Sequence, residues 1–235
     1  MKEMMKNRTY RDKIVYCAKD PRFVLIQMVD EDMIDMLSEQ YHIISSVIEC
    51  PFLLAGYVVN DWNKDLSPWK AKAVFGKKNF EGAARETLDD LCGSFIPQLK
   101  KEHNLDDDIC VILGGYSLAG LFSLWSAYQT DVFSAVMAAS ASVWFSGWID
   151  YAKANRIKCK NVYLSLGDRE SDTKNPIMKK VEECMKTQFA LLARDDTDNC
   201  ALEFNEGNHF TDVAKRCAKG YEWCIEQTKC HDLLH

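Results

Sequence analysis

One serine in this chain sits where a nucleophile belongs. Ser117 lies in the run Gly114-Gly115-Tyr116-Ser117-Leu118-Ala119-Gly120, between the apolar stretch Ile109–Leu113 and the helix-forming stretch Leu121–Tyr128. A serine on a sharp strand-to-helix turn is held in strained backbone that pushes its hydroxyl out of the sheet. The flanking positions must then be small, so that strand and helix can approach. Gly115 and Ala119, two residues to either side, meet that demand. The common pattern is G-x-S-x-G; here alanine takes the place of the second glycine and Gly120 follows one position late. The plain alternative is a glycine-rich turn that binds phosphate or only lets two elements pack.

A serine hydroxyl is a poor nucleophile near neutral pH and needs a base, usually a histidine oriented by a carboxylate. Where the serine stands on such an elbow, the acid and then the histidine follow it along the chain. Of the five histidines, His42 and His103 precede Ser117 and His231 and His235 lie in the terminal tail. His209 follows the strand-like Ala201–Phe204 and the turn Asn205–Asn208, so it is the candidate base. The candidate acids are in Gly167-Asp168-Arg169-Glu170-Ser171-Asp172, directly after the strand-like Val162–Leu166. Spacing from Gly167 favours Glu170, through a turn that carries the acid back toward the histidine; Asp168 is the rival and Asp172 the third. The residues alone leave that choice open.

A tetrahedral intermediate needs two donors aimed at its oxyanion. One is expected from the backbone N–H of Leu118, and the second from the start of the loop Asn60–Trp69, with Trp62 as the named candidate. Tryptophans in a polar loop either cover the core or wall a pocket. Trp69, Trp144 and Tyr116 are the candidate pocket residues, whereas Trp148 reads as core. No short-spaced Cys/His pairs suggest a metal site, so neither metal nor cofactor is expected.

The elements that must position these residues are short aliphatic runs alternating with longer amphipathic segments, the pattern of a mostly parallel sheet flanked by helices. Expected strands are Phe23–Met28, Phe52–Val59, Ile109–Leu113, Ala135–Ala139, Val162–Leu166 and Ala201–Phe204. Expected helices are Asp32–Ser45, Gly82–Glu102, Leu118–Tyr128, Val143–Ala154, Pro176–Ala193 and Phe210–Cys230. With 235 residues and no linker-like tract, residues 1–235 read as a single domain. The apolar runs are too short to span a bilayer, and the charged N-terminus leads into no apolar export segment. Ten cysteines are spread without a C-x-x-C pair, which suits free thiols in the cytoplasm. A net charge of −6 argues against a nucleic-acid partner. The one basic cluster, Lys70, Lys72, Lys77 and Lys78, reads as a solvated loop.

The set G-Y-S-L-A-G at Gly115–Gly120, S-A-S-V-W-F at Ser140–Phe145, S-L-G-D-R-E at Ser165–Glu170 and E-G-N-H-F at Glu206–Phe210 resembles the esterases related to esterase D and the siderophore esterases. The segment D-W-N-K-D-L-S-P-W at Asp61–Trp69 is similar to the oxyanion-side loop of small bacterial members. The resemblance runs from about Phe23 to the end. It implies an α/β-hydrolase fold; no lid-length insertion is visible between the later strands, so a compact fold without a large lid is expected, and the first antiparallel strands of the full fold read as missing or kept only around Lys13–Cys17. The resemblance further implies serine-dependent ester hydrolysis without metal or cofactor, with Ser117 as nucleophile and His209 as base. Siderophore substrates are not part of the expectation, because no basic platform for an anionic iron complex is visible. The expected substrate is a small or soluble ester. The alternatives are acyl transfer on the same scaffold, or a binding protein that keeps the elbow without turnover. No membrane partner is expected, and the sequence does not specify an oligomeric state.

Overall fold

In the computed structural model of the protein, residues 14–195, 197 and 199–229 are described. His231, His235 and Cys230 lie outside them. In chain order the strands are β1 (Ile14–Cys17), β2 (Phe23–Val29), β3 (Phe52–Val58), β4 (Lys70–Ala71), β5 (Phe80–Glu81), β6 (Cys110–Tyr116), β7 (Ala135–Ala139), β8 (Asn161–Gly167) and β9 (Asn199–Asn205). The helices are α1 (Ile34–Val47), α2 (Trp62–Asp65), α3 (Ala84–Asp90), α4 (Ile96–His103), α5 (Leu118–Gln129), α6 (Trp148–Ala154), α7 (Val181–Arg194) and α8 (Val213–Lys229).

Seven strands form one sheet in the order β1-β3-β2-β6-β7-β8-β9, while β4 and β5 make a separate small ribbon. Only β1 runs antiparallel to its neighbour; the other pairings in the sheet are parallel. Among the described residues, the antiparallel entry to the fold is one strand, Ile14–Cys17. Central parallel strands are covered on both faces, which is why β2 and β3 are buried throughout and read as nearly continuous apolar runs, with Gln27 the one polar side chain. Side chains alternate along β2: Val24, Ile26 and Met28 face the larger core under α3 to α7, and Phe23, Leu25 and Val29 face a second core under α1 and α8.

Connections run one way from β2 to β3 and the other way from β6 through β9, so strand order reverses between β2 and β6. Ligand crevices in open α/β sheets lie at the carboxyl ends of strands beside such a reversal. Ser117 follows β6 at that point. The expected helix Val143–Ala154 is shorter, beginning at Trp148. Its missing start is a pair of turns, with Phe145 N donating to Ser142 O and Trp148 N to Phe145 O, which places Trp144 on a loop. Among the described residues, no helix is long and apolar enough to cross a membrane.

Candidate active site

Ser117 adopts φ 61° and ψ −121°, strained for a residue with a side chain, directly before the first residue of α5. The strain is held from two sides: Ser117 N donates to Ala139 O at the end of β7 (3.1 Å), and Ser142 N donates to Ser117 O (3.0 Å). A Cβ on Gly115 would collide with the backbone of Ala119, so glycine is required there for the elbow to close, and an alanine at 119 is accommodated only because of it. Leu118 N–H is the first amide of α5, one of the donors that a helix's own ladder leaves unused.

His209 Nε2 lies 3.1 Å from Ser117 Oγ, and His209 Nδ1 lies 2.7 Å from Glu170 Oε2. Of the three candidate acids, only Glu170 reaches the histidine. It gets there by the turn expected from the G-x-x-E spacing, closed by Glu170 N donating to Gly167 O (3.1 Å). Asp168 serves the backbone instead. Its Oδ1 accepts from Gly207 N (2.8 Å), pinning the turn before His209, where Gly207 takes φ +106°. Asp172 is exposed.

The second Glu170 oxygen, Oε1, accepts from Ser140 Oγ (2.6 Å), Gly167 N (2.7 Å) and Arg216 Nη1 (3.2 Å). Burial opposes ionisation of this carboxyl. The hydrogen bond and charge of His209, with the Ser140 and Gly167 bonds, outweigh it and hold Glu170 below the usual carboxylate range. Arg216 also bonds Tyr116 Oη (3.1 Å) and Glu206 O (2.9 Å). Tyr116 in turn donates to His209 O (2.7 Å). Burial pushes the Tyr116 phenol up to about 12, so it stays protonated as that donor. Reading the chain as a sequence missed Arg216. Its signal is a charge set beside the apolar positions Ala214, Cys217 and Ala218 of α8, all of which are buried.

A cavity of about 330 Å³ opens beside Ser117 and is lined by Ser142, Trp144, Glu170 and His209, with Phe75, Met178, Val181 and Phe210 supplying apolar walls. Trp144 lines this cavity, edge-on against Phe75. Trp69 and Tyr116 do not. Trp69 Nε1 donates to Ser146 O (2.8 Å) and its rings pack on Phe145, Trp148 and Tyr151, a strut of the core. Tyr116 is buried beneath the histidine. The expected donor loop at Asn60–Trp62 also needs correcting. The strand beside β6 is β2, so the segment flanking the elbow is Asp30–Met33. At the other loop the amides of Asn60 and Asp61 are taken by Asp65 Oδ2 (both 3.1 Å), and Trp62 packs against the core.

Sheet order, reversal point and elbow together define an α/β-hydrolase fold. Solved structures agree: an IroE-like serine hydrolase from Shewanella oneidensis is 14% identical over 97% of this chain and 79% of its own, with a TM-score of 0.72. The siderophore hydrolase EstA from Aspergillus nidulans is 16% identical over 89% and 83%, with a TM-score of 0.67, and the BES protein from Bacillus cereus 18% over 94% and 92%, at 0.64. At these identities the likeness establishes the fold. Neither a family model nor a curated protein matches the sequence.

Proposed function

We propose that this protein is a serine esterase that hydrolyses carboxylic esters through an acyl-enzyme. The observation that carries the reading is the continuous line Ser117 Oγ, His209 and Glu170, with contacts of 3.1 and 2.7 Å, on a strained elbow at the mouth of a cavity. With Nδ1 protonated toward Glu170, His209 Nε2 accepts the Ser117 proton as Oγ attacks the ester carbon. Glu170 then stabilises the imidazolium. The imidazolium returns that proton to the leaving alkoxide, and a water deprotonated by His209 releases the acid. Leu118 N–H is the first oxyanion donor in this reading, and the pairing of β2 beside β6 supports the Asp30–Met33 segment as the source of the second. The cavity's modest volume and apolar walls suit a small acyl or alkyl group. A cytoplasmic setting belongs to the same reading, supported by the nine described cysteines all being free thiols.

The test is reaction with a fluorophosphonate probe and turnover of short p-nitrophenyl esters. Labelling should vanish in Ser117→Ala, and turnover in both Ser117→Ala and His209→Ala. Persistent labelling in Ser117→Ala, or wild-type protein with neither labelling nor turnover, refutes the reading. Partition of the acyl group to added alcohols in preference to water would make the enzyme an acyltransferase.

A further inference from the structure

Around the mouth of the Ser117 cavity, apolar side chains stand in solvent. Phe210 is 86% exposed, Phe75 57% and Ile177 46%. Phe75, Phe210 and Met178, the neighbour of Ile177, all line the cavity. The loops carrying Phe75 and Ile177 are tied together by Asn175 Nδ2 donating to Val74 O (2.8 Å). The three exposed tips therefore share one rim.

The two loops repeat one pattern, an apolar tip bracketed by lysines. Lys72, Lys77 and Lys78 surround Phe75; Lys174, Lys179 and Lys180 surround Ile177; all six are exposed. Lys78 is paired with Asp61 (2.7 Å). The other five have no ion pair among the described residues, and Asp172 is the one acid in the 171–180 loop. The whole chain carries a formal charge of −6, so composition does not account for positive charge gathered here.

We propose that this rim docks on an anionic lipid surface, with Phe75, Ile177 and Phe210 entering the acyl layer and the lysines at headgroup level. Neither signal suffices alone; an apolar insertion and a basic ring together give stable interfacial binding. In the cytoplasm, the setting that the nine described free thiols support, the inner leaflet is the anionic one. Other occupants fit less well. A second copy meeting this face to face would oppose lysines with lysines. A small ester held in the cavity would leave Ile177 and the lysines uncovered, since they lie outside its lining. Apolar run lengths in the sequence bear on spanning helices and not on surface contact, and the proposal departs from the expectation of no membrane partner. Docking would bring the cavity mouth to the lipid layer, a catalytic consequence that rests on the esterase reading; the docking itself does not.

The experiment is cosedimentation of the full chain with vesicles of phosphatidylglycerol and phosphatidylcholine, and with phosphatidylcholine alone. Binding is expected to the anionic vesicles only, weakening as salt rises. It should fall by about a hundredfold or more when Lys77, Lys174, Lys179 and Lys180 are all changed to Gln, and by about tenfold in Ile177→Ser. Turnover of p-nitrophenyl acetate should be unchanged in both variants. Vesicle binding without ester turnover keeps the proposal and removes the esterase reading. The proposal is overturned by no binding at low salt, by equal binding to both vesicle types, by a dimer that Ile177→Ser dissolves, or by a lysine variant that raises KM for soluble anionic esters while vesicle binding stays as it was.

Discussion

The two sides of the candidate site are built differently. Beneath His209, Glu170 and Arg216 have side chains only 3% and 2% exposed, and every oxygen of Glu170 has a donor. At the rim, Phe75, Ile177 and Phe210 are exposed, and one hydrogen bond between Asn175 and Val74 joins the two loops. Buried polar groups must be satisfied or the fold loses stability, so the acid and histidine are held by several bonds each. The rim carries no such demand. Glu170 and His209 are held by a dense network, and what approaches them is met by exposed side chains that few bonds hold.

The sharpest break of the buried side is Ser117→Ala, which should lower kcat by about 10⁴-fold or more on a p-nitrophenyl ester. Glu170→Ala comes next, at about 10³- to 10⁴-fold in kcat, because the histidine loses its orienting carboxylate. Asp168→Ala should cost only about 1–2 kcal/mol of stability, through the freed Gly207 turn, with kcat changed about threefold or less. Equal losses in the two acid variants would overturn the assignment of Glu170.

Arg216→Met should destabilise the protein by about 3 kcal/mol, since Glu170 is left buried with one cation fewer. Arg216→Lys, which keeps a cation beside Glu170, should recover most of that loss in urea denaturation.

Glu170 also gives a stability test. Its folded pKa lies below its unfolded value. Its contribution is therefore complete above the unfolded pKa of about 4.3 and is lost as pH falls through the folded value. Glu170→Gln should flatten the low-pH end of a stability-versus-pH curve measured by urea denaturation. The smallest effect is expected at the rim. Phe210→Ala should raise KM by about threefold for esters with bulky groups and leave kcat nearly unchanged, one exposed contact being worth little.

Much of this site is legible in the chain because its signals are local. The elbow needs small residues at Gly115 and Ala119 for steric reasons that act within a few positions of the serine. Glu170 is favoured over Asp168 by a short turn that does form, although only the fold separates the two, giving one acid to His209 and the other to Gly207. Trp69 and Trp144 show where local reading fails. Both are tryptophans in polar loops, and the difference between a core strut and a cavity wall depends on which neighbours the sheet brings near. The second donor loop is misplaced for the same reason. Strand succession puts β3 after β2, but hydrogen bonding puts β2, and not β3, against β6.

By itself the sequence determined a parallel sheet with flanking helices, a serine at a strand-to-helix elbow, and, of the three histidines after it, one that follows a strand and a turn. Those follow from side-chain period, backbone sterics and chain order. Only the tertiary structure decided that Arg216 lies under Glu170, that Asp30–Met33 flanks the elbow, and that the Phe75 and Ile177 loops meet with their lysines on one rim. Each joins residues distant in sequence, and which of them meet depends on strand order and packing, quantities to which no short stretch of sequence gives access.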